Sequence, residues 1–230
     1  MLINFFNTDE SYKEQVAEYQ KKDTMMAIVV WGIVMVTYYF MGQLYANKGV
    51  YLGIQVNMVL AILCIWFILL RKQKITTIGF TKGNAVKSII LGSVLGVLIV
   101  IGNNVINIVE GSQLAPLQSI AKNFIYYMLV ISLVEELIFR GYIQTRIYGL
   151  VKKPILAIIL GGILFMLIHI PFKMGQAKMG LFTYLQLNWI TLIFTFIWHV
   201  IFDFLYRKYN TIYAPAIFHG LMDWANYLFL

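Results

Sequence analysis

Long apolar runs alternate with short polar segments along almost the whole chain. The runs cover residues 24–46, 50–70, 86–109, 118–148, 154–171, 181–206 and 211–229. Each run approaches the roughly 20 residues that a helix needs to cross the hydrocarbon core of a bilayer. The pattern therefore predicts an all-α, polytopic transmembrane helical bundle of seven spans, with an eighth, half-buried segment as the alternative. Residues 1–23 are polar, and we expect a surface helix or a frayed tail there.

Composition agrees with a membrane protein and disfavours a soluble enzyme. Hydrophobic residues make up 60% of the chain and charged residues 12%, whereas about a quarter of a soluble domain is charged. The net charge of +8 resides mainly in short loops beside the apolar runs. Basic residues in that position set topology and contact anionic lipid, so we expect lipid, and no nucleic acid, as a partner. The single cysteine, Cys64, excludes an intramolecular disulfide and a cysteine-based metal cluster.

The basic residues also predict the orientation of the bundle. With seven alternating spans, thirteen of the 18 basic residues fall on the side of the N-terminus. The opposite side holds only four, and one arginine lies within a span: Lys48, Lys122, Lys173, Lys178 and Arg140. Cytoplasmic loops carry the excess of Lys and Arg. We therefore expect an integral protein of the cytoplasmic membrane with its N-terminus in the cytoplasm.

Seven ionisable residues of a different kind lie inside the apolar runs. They are Glu135, Glu136, His169, His199, Asp203, His219 and Asp223. An ionisable group within a membrane is unfavourable unless it is paired or faces a wet cavity, and such residues usually mark a functional site. These side chains are therefore the candidates for chemistry.

The stretch VEELIFRGYIQ, residues 134–144, contains three of the charges in this part of the chain. Glu136 and Arg140 are four residues apart, so they share a helical face and can form an ion pair. Glu135 points about 100° away from that face. The spacing predicts a supporting pair, Glu136 and Arg140, and leaves Glu135 available for chemistry.

Helix lengths predict which other side chains lie at the depth of Glu135. Glu135 and His169 are equally far, roughly 22 Å, from the turn that joins their two runs. Asp223 lies roughly 20 Å beyond the turn near Asn210, which is on the same side of the membrane. His219 is one helical turn closer to that end. These four residues can therefore converge in one layer.

Such a set permits two kinds of hydrolytic chemistry. In the first, Glu135 is a general base on water, His169 orients that water, and His219 donates to the oxyanion. In the second, Glu135, His169 and His219 bind one zinc ion. In either case Asp223 can hold the His219 ring in its useful tautomer. The expected cofactor is thus none, or alternatively one zinc ion; the HExxH zinc signature is absent from this segment.

Three motifs resemble those of a known family. EELIFR (135–140), FMLIH (165–169) and HGLMD (219–223) are similar to the EExxxR, FxxxH and HxxxN/D motifs of the CPBP (CAAX protease and bacteriocin-processing, Abi-type) intramembrane endopeptidases. The resemblance covers roughly residues 119–227. It implies that residues 111–230 are the catalytic transmembrane core and that residues 24–110 are accessory helices. It also implies a catalytic base at Glu135, assisted by His169, with Glu136 and Arg140 shaping the site and His219 and Asp223 supporting the oxyanion.

Some polar residues depart from the family pattern. Asp223 stands where many members have Asn, and an ionised Asp cannot donate to an oxyanion, which favours an orienting role. His199 and Asp203 form an additional i, i+4 set; we favour a structural pair, with a pocket or ligand role as the alternative. Asn103, Asn104 and Asn107 are expected to bond between helices, and lining a substrate pocket is the alternative.

These observations predict an intramembrane endopeptidase that hydrolyses a membrane-associated peptide or protein near the membrane interface. One alternative is a catalytically silent relative that acts as a membrane binding or immunity protein. A proton- or metal-coupled transporter is less favoured, because the chain shows no inverted repeat or paired broken helices.

Overall fold

Helices make up almost all of the computed structural model, which describes residues 7–230. The structure is 81% helical, and the predicted all-α fold is confirmed. Its helices, numbered in chain order, are α1 (Glu10–Ala17), α2 (Lys21–Lys48), α3 (Gly53–Leu70), α4 (Ala85–Val109), α5 (117–147), α6 (Pro154–Ala177), α7 (Leu181–Tyr209) and α8 (Tyr213–Trp224). An N-terminal surface helix, α1, is therefore present within the polar segment; residues 1–6 lie outside the described residues.

The seven predicted spans correspond to α2–α8, but they are not equivalent. Five helices, α2, α3, α4, α6 and α7, are long and apolar enough to cross a membrane. Helix α5 is helical throughout 117–147 but changes twice from α to π geometry, at Tyr126–Ser132 and Leu137–Gln144. Helix α8 has 12 residues, or roughly 18 Å, and is too short to cross by itself. Five of the seven predicted spans are thus uninterrupted α-helices of sufficient length, α5 is long but of mixed α and π geometry, and α8 is too short by itself.

The segment that contains α8 nevertheless follows the full length of α4. At one end, Ile212 N donates to Gly79 O (3.0 Å). At the other, Leu230 N donates to Gln113 O (3.0 Å), after a 3₁₀ turn at Ala225–Tyr227. Between these ends the two helices approach closely at Gly92, where an added Cβ would lie 2.6 Å from Ala214 O. The segment 212–230 therefore runs beside α4 from one end of the bundle to the other.

The loops rich in basic residues meet at one end of the bundle. Asp9 N donates to Arg207 O (2.9 Å), and the Arg71 guanidinium pairs with the Asp23 carboxylate (2.9 Å). Lys152 Nζ donates to the Tyr19 carbonyl oxygen (3.0 Å). The N-terminal segment thus contacts the loops that follow α3, α5 and α7, as alternating spans predict. That this end faces the cytoplasm stays a prediction.

Helices α2 and α6 pack closely against each other, and two glycines allow this approach. An added Cβ at Gly42 would lie 2.2 Å from Phe172 O, and one at Gly175 would lie 2.7 Å from Tyr39 O. Backbone atoms cannot yield to such contacts as a flexible side chain can. These glycines therefore set the distance between α2 and α6.

Gly42→Ala is expected to lower the free energy of unfolding by about 1–3 kcal/mol, because the new methyl group forces the two helices apart. Gly32→Ala is the matched control, since an added Cβ there meets nothing within 4 Å. It should leave stability unchanged or raise it slightly. Denaturation of both variants in the same detergent tests this, and equal effects at the two positions would contradict the assigned role of Gly42.

Candidate active site

The ion pair between Glu136 and Arg140 is present, as the spacing predicts. Arg140 Nη1 lies 3.0 Å from Glu136 Oε1, and both side chains are completely buried. The guanidinium lies between two aromatic rings, 4.0 Å from the centroid of Phe165 and 4.8 Å from that of Phe202. Such cation–π contacts add to the stabilisation that the carboxylate gives the arginine. The pair therefore connects α5 to α6 and α7.

Glu136 has a second partner that spacing alone did not predict. The same Oε1 atom lies 2.9 Å from Nδ1 of His219, on α8. The other ring nitrogen, Nε2, lies 3.4 Å from Asp223 Oδ2. The His219 ring also stacks on Phe202, with centroids 4.7 Å apart and an interplanar angle of 20°. Glu136, more closely than Asp223, thus determines the orientation of His219.

One cavity brings together the four predicted catalytic residues. It has a volume of about 260 Å³, and we call it the first cavity. It is lined by Glu135, Phe165, His169, Thr195, Trp198, Phe202, His219, Met222 and Asp223. Glu135 is half-buried, whereas its neighbour Glu136 is completely buried. The four side chains therefore lie together, as the helix lengths predict, and the catalytic roles assigned to them stay predictions.

The hydrogen bond of His169 determines which ring nitrogen is available. Its Nδ1 lies 2.8 Å from the carbonyl oxygen of Phe165, one turn earlier in α6. A carbonyl oxygen can only accept, so Nδ1 carries the proton and a neutral ring leaves Nε2 as an acceptor. His169 can therefore receive a hydrogen bond from a water molecule through Nε2.

The π turns in α5 lie on both sides of the two adjacent glutamates, Glu135 and Glu136. Tyr126–Ser132 precedes the short α segment Leu133–Glu136, and Leu137–Gln144 follows it. Single π turns within helices are uncommon and often occur at functional sites. No local pattern in the sequence indicates them, and the apolar run 118–148 predicts a regular α-helix.

The predicted pair between His199 and Asp203 is wrong. Asp203 Oδ2 accepts a hydrogen bond from Arg207 Nε (2.6 Å), because a guanidinium offers a full charge as well as a donor. Within the described residues, neither ring nitrogen of His199 has a hydrogen-bond partner. Both residues are buried and neither lines the first cavity. The pocket role considered for them is therefore not supported.

The three asparagines of α4 have different environments. Asn104 is buried and its Nδ2 donates to Ala225 O (3.0 Å), so its predicted bond between segments is confirmed. Asn107 Nδ2 donates to Asn104 Oδ1 (3.4 Å) within the same helix. Asn103 is exposed, since it points about 100° away from Asn104. Neither Asn103 nor Asn107 lines the first cavity.

The arrangement does not form the zinc site considered from the sequence. Among residues 7–230, no group of three His, Cys, Asp or Glu side chains could hold a metal ion. Nδ1 of His219 bonds to Glu136, and its Nε2 lies 3.4 Å from Asp223 Oδ2, so the ring lies between two carboxylates. A protein zinc site commonly uses three or four protein ligands. Within the described residues, the side chains do not lie together as a set of three zinc ligands, and the choice between no cofactor and one zinc ion stays a prediction.

Together, the fold and the site define a class of protein. It is an all-α integral membrane protein in which a buried ion pair supports a cavity lined by a glutamate, two histidines and an aspartate.

Comparison with known families identifies the domain that carries this site. Residues 117–225 match the family described as type II CAAX prenyl endopeptidase Rce1-like. This match agrees with the resemblance to the CPBP endopeptidases and supports a CAAX-type peptidase at the general level. The matched range contains Glu135, His169, His219 and Asp223. No curated protein and no solved structure matches the chain.

Proposed function

We propose that the protein is an intramembrane endopeptidase in which Glu135 activates the water that attacks a peptide bond. The observation that carries this proposal is the division between the two glutamates. Glu136 bonds to Arg140 and His219, while Glu135 lines the first cavity beside His169 and His219. A base must reach its water molecule and must keep a free lone pair. Glu135 meets both requirements.

The reaction follows from the groups around this cavity. Glu135 removes one proton from water, while Nε2 of His169 accepts a hydrogen bond from the other O–H and so orients the oxygen. The water oxygen bonds to the carbonyl carbon of the substrate, and negative charge develops on the carbonyl oxygen. The C–N bond then breaks, and Glu135 passes the proton to the leaving amine. The products are a carboxylic acid and an amine; proton transfer between them outside the site gives the carboxylate and the ammonium ion.

His219 is the proposed donor to the developing oxyanion. Its Nδ1 bonds to Glu136, whereas the separation of 3.4 Å between Nε2 and Asp223 is long for a hydrogen bond. Because Nδ1 donates to the Glu136 carboxylate, Nε2 carries a proton when the ring is an imidazolium, and that proton can be shared with an oxygen atom in the cavity. Asp223 would keep the ring in place between catalytic cycles, which is the role expected of an acidic residue at this position.

The walls of the first cavity suit an apolar, membrane-associated peptide. Trp198, Phe202, Phe165 and Met222 supply aromatic and thioether surface around the polar residues. Pockets of this kind bind apolar side chains and use a few polar groups to orient the ligand. We propose a peptide or protein substrate near the membrane interface, with no requirement that it be prenylated.

The first test compares membrane-associated peptides, by mass spectrometry, between cells that express the protein and cells that express Glu135→Gln. We expect peptides that are released only when Glu135 is present. Equal peptide sets and an unchanged cellular phenotype, with both proteins equally inserted, would contradict the peptidase and favour a binding or immunity protein.

Metal dependence has its own prediction. Because the proposed steps use only side chains and water, protein prepared with a chelator should keep its hydrolytic activity. Elemental analysis of the active preparation should find less than one zinc ion per chain. Loss of activity on chelation, with recovery only when zinc is returned, would overturn the metal-free mechanism. It would not contradict the proposal that the protein hydrolyses peptides.

A further inference from the structure

A second cavity touches the catalytic residues from the other side. It has a volume of about 140 Å³. It is lined by Tyr38, Met41, Tyr51, Asn57, Ile131, Glu135, Ile168, His169, Phe172 and Lys173. Glu135 and His169 also line the first cavity. The two cavities therefore meet at the residues that are proposed to activate water.

This arrangement suits a substrate that extends past the catalytic groups. A peptide bond that reaches Glu135 has chain on both sides, and each side needs space. The first cavity offers space beside His219 and Trp198, and the second offers space beside Met41 and Ile168. A peptide occupying both would place its scissile bond where they meet.

The second cavity combines an apolar wall with one charged group. Tyr38 and Asn57 are buried and satisfy each other, because Tyr38 Oη donates to Asn57 Oδ1 (2.9 Å). Lys173 lies one turn beyond His169 in α6 and is exposed. Within residues 7–230, no carboxylate forms an ion pair with Lys173. Its ammonium group is therefore available to a carboxylate of the substrate.

We propose that the second cavity binds the substrate on one side of the scissile bond and that Lys173 selects a carboxylate there. The inference rests on the proposed peptidase function and adds a determinant of its specificity. Much of the wall comes from α2 and α3, which lie outside the matched range 117–225. Selectivity would thus be supplied in part by the accessory helices.

Charge variants of Lys173 test this inference. Membranes from cells that express Glu135→Gln, in which substrate accumulates, are incubated with purified protein, and the released peptides are sequenced. We expect Lys173→Gln to lower the ratio of acidic to uncharged substrates on the order of fivefold, the effect of losing one partly exposed ion pair. Lys173→Glu should shift the preference toward basic substrates, and Lys173→Arg should retain the original preference.

Lys122→Gln is the matched control, because Lys122 is also exposed and lines neither cavity. The quantity compared is the ratio of acidic to uncharged substrates that are cleaved, not the total yield of peptide. A change of charge at position 173 that alters the reactivity of Glu135 would affect all substrates equally and would leave this ratio unchanged. If peptides are released only when Glu135 is present, but the ratio of acidic to uncharged substrates is the same in Lys173→Gln and Lys122→Gln, the role of Lys173 is wrong and the proposed function is unaffected. Absence of any Glu135-dependent peptide would overturn the proposed function, and this inference with it.

Discussion

Glu135→Gln is expected to slow peptide hydrolysis by about 10²–10⁴-fold while the protein stays folded, because general-base catalysis contributes an effect of that size. The amide keeps the shape of the side chain but cannot remove a proton from water. Within the described residues Glu135 forms no ion pair, so its replacement leaves none broken. The measurement is the rate constant of the purified protein on a peptide that the mass-spectrometric comparison identifies.

A control variant distinguishes the loss of the catalytic base from the general effect of removing one carboxylate from the protein. Glu110 is exposed, follows α4 and lines neither cavity at the catalytic residues. Glu110→Gln should therefore retain the full rate. Thermal unfolding of both variants should match that of the unaltered protein. A Glu135→Gln protein that hydrolyses the peptide at the unaltered rate would exclude Glu135 as the base.

Much of the fold could be predicted because the membrane imposes a simple rule. Backbone groups in hydrocarbon must be satisfied within the segment, so a long apolar run becomes a helix. The rule placed α2, α3, α4, α6 and α7 correctly. The rule does not predict the short length of α8. Asn210, which precedes α8, has a positive φ, and a 3₁₀ turn follows the helix. Run length alone does not show where a helix stops.

Part of the site could be predicted from helical spacing and depth. The i, i+4 spacing of Glu136 and Arg140 predicts their ion pair. Equal distances from the connecting turn predict that Glu135 and His169 lie at the same depth, and both line the first cavity. The bond between Glu136 and His219 joins α5 to α8. Contacts of this kind depend on how helices rotate and pack, which periodicity within one helix does not determine.

The same limit explains the errors. His199 and Asp203 have the spacing of a pair, but Arg207 lies one turn beyond Asp203 and competes for its carboxylate. Arg207 lies just beyond the predicted run 181–206, but α7 continues to Tyr209 and keeps Arg207 on the same helix as Asp203. The second cavity was not predicted because its wall combines residues from α2, α3, α5 and α6, and no single motif contains them.

Glu136→Met is expected to lower the free energy of unfolding by about 3–5 kcal/mol, because it leaves a buried arginine without its counter-ion. Arg140 cannot lose its proton, and its only side-chain hydrogen bond within the described residues is to Glu136. Arg140→Met should have a smaller effect, since Glu136 retains His219 as a partner. Reversible unfolding in mixed micelles gives both values.

The double variant Glu136→Met/Arg140→Met should recover much of the stability lost in Glu136→Met, because two apolar side chains can replace a buried pair with little loss. It should still be inactive, since His219 then lacks the carboxylate that orients it. Stability close to that of the unaltered protein in the single variant Glu136→Met would contradict this role. The two adjacent glutamates are thus separable by experiment: Glu135→Gln should affect the rate without affecting stability, whereas Glu136→Met should affect stability first, because its carboxylate neutralises the arginine beneath the cavity.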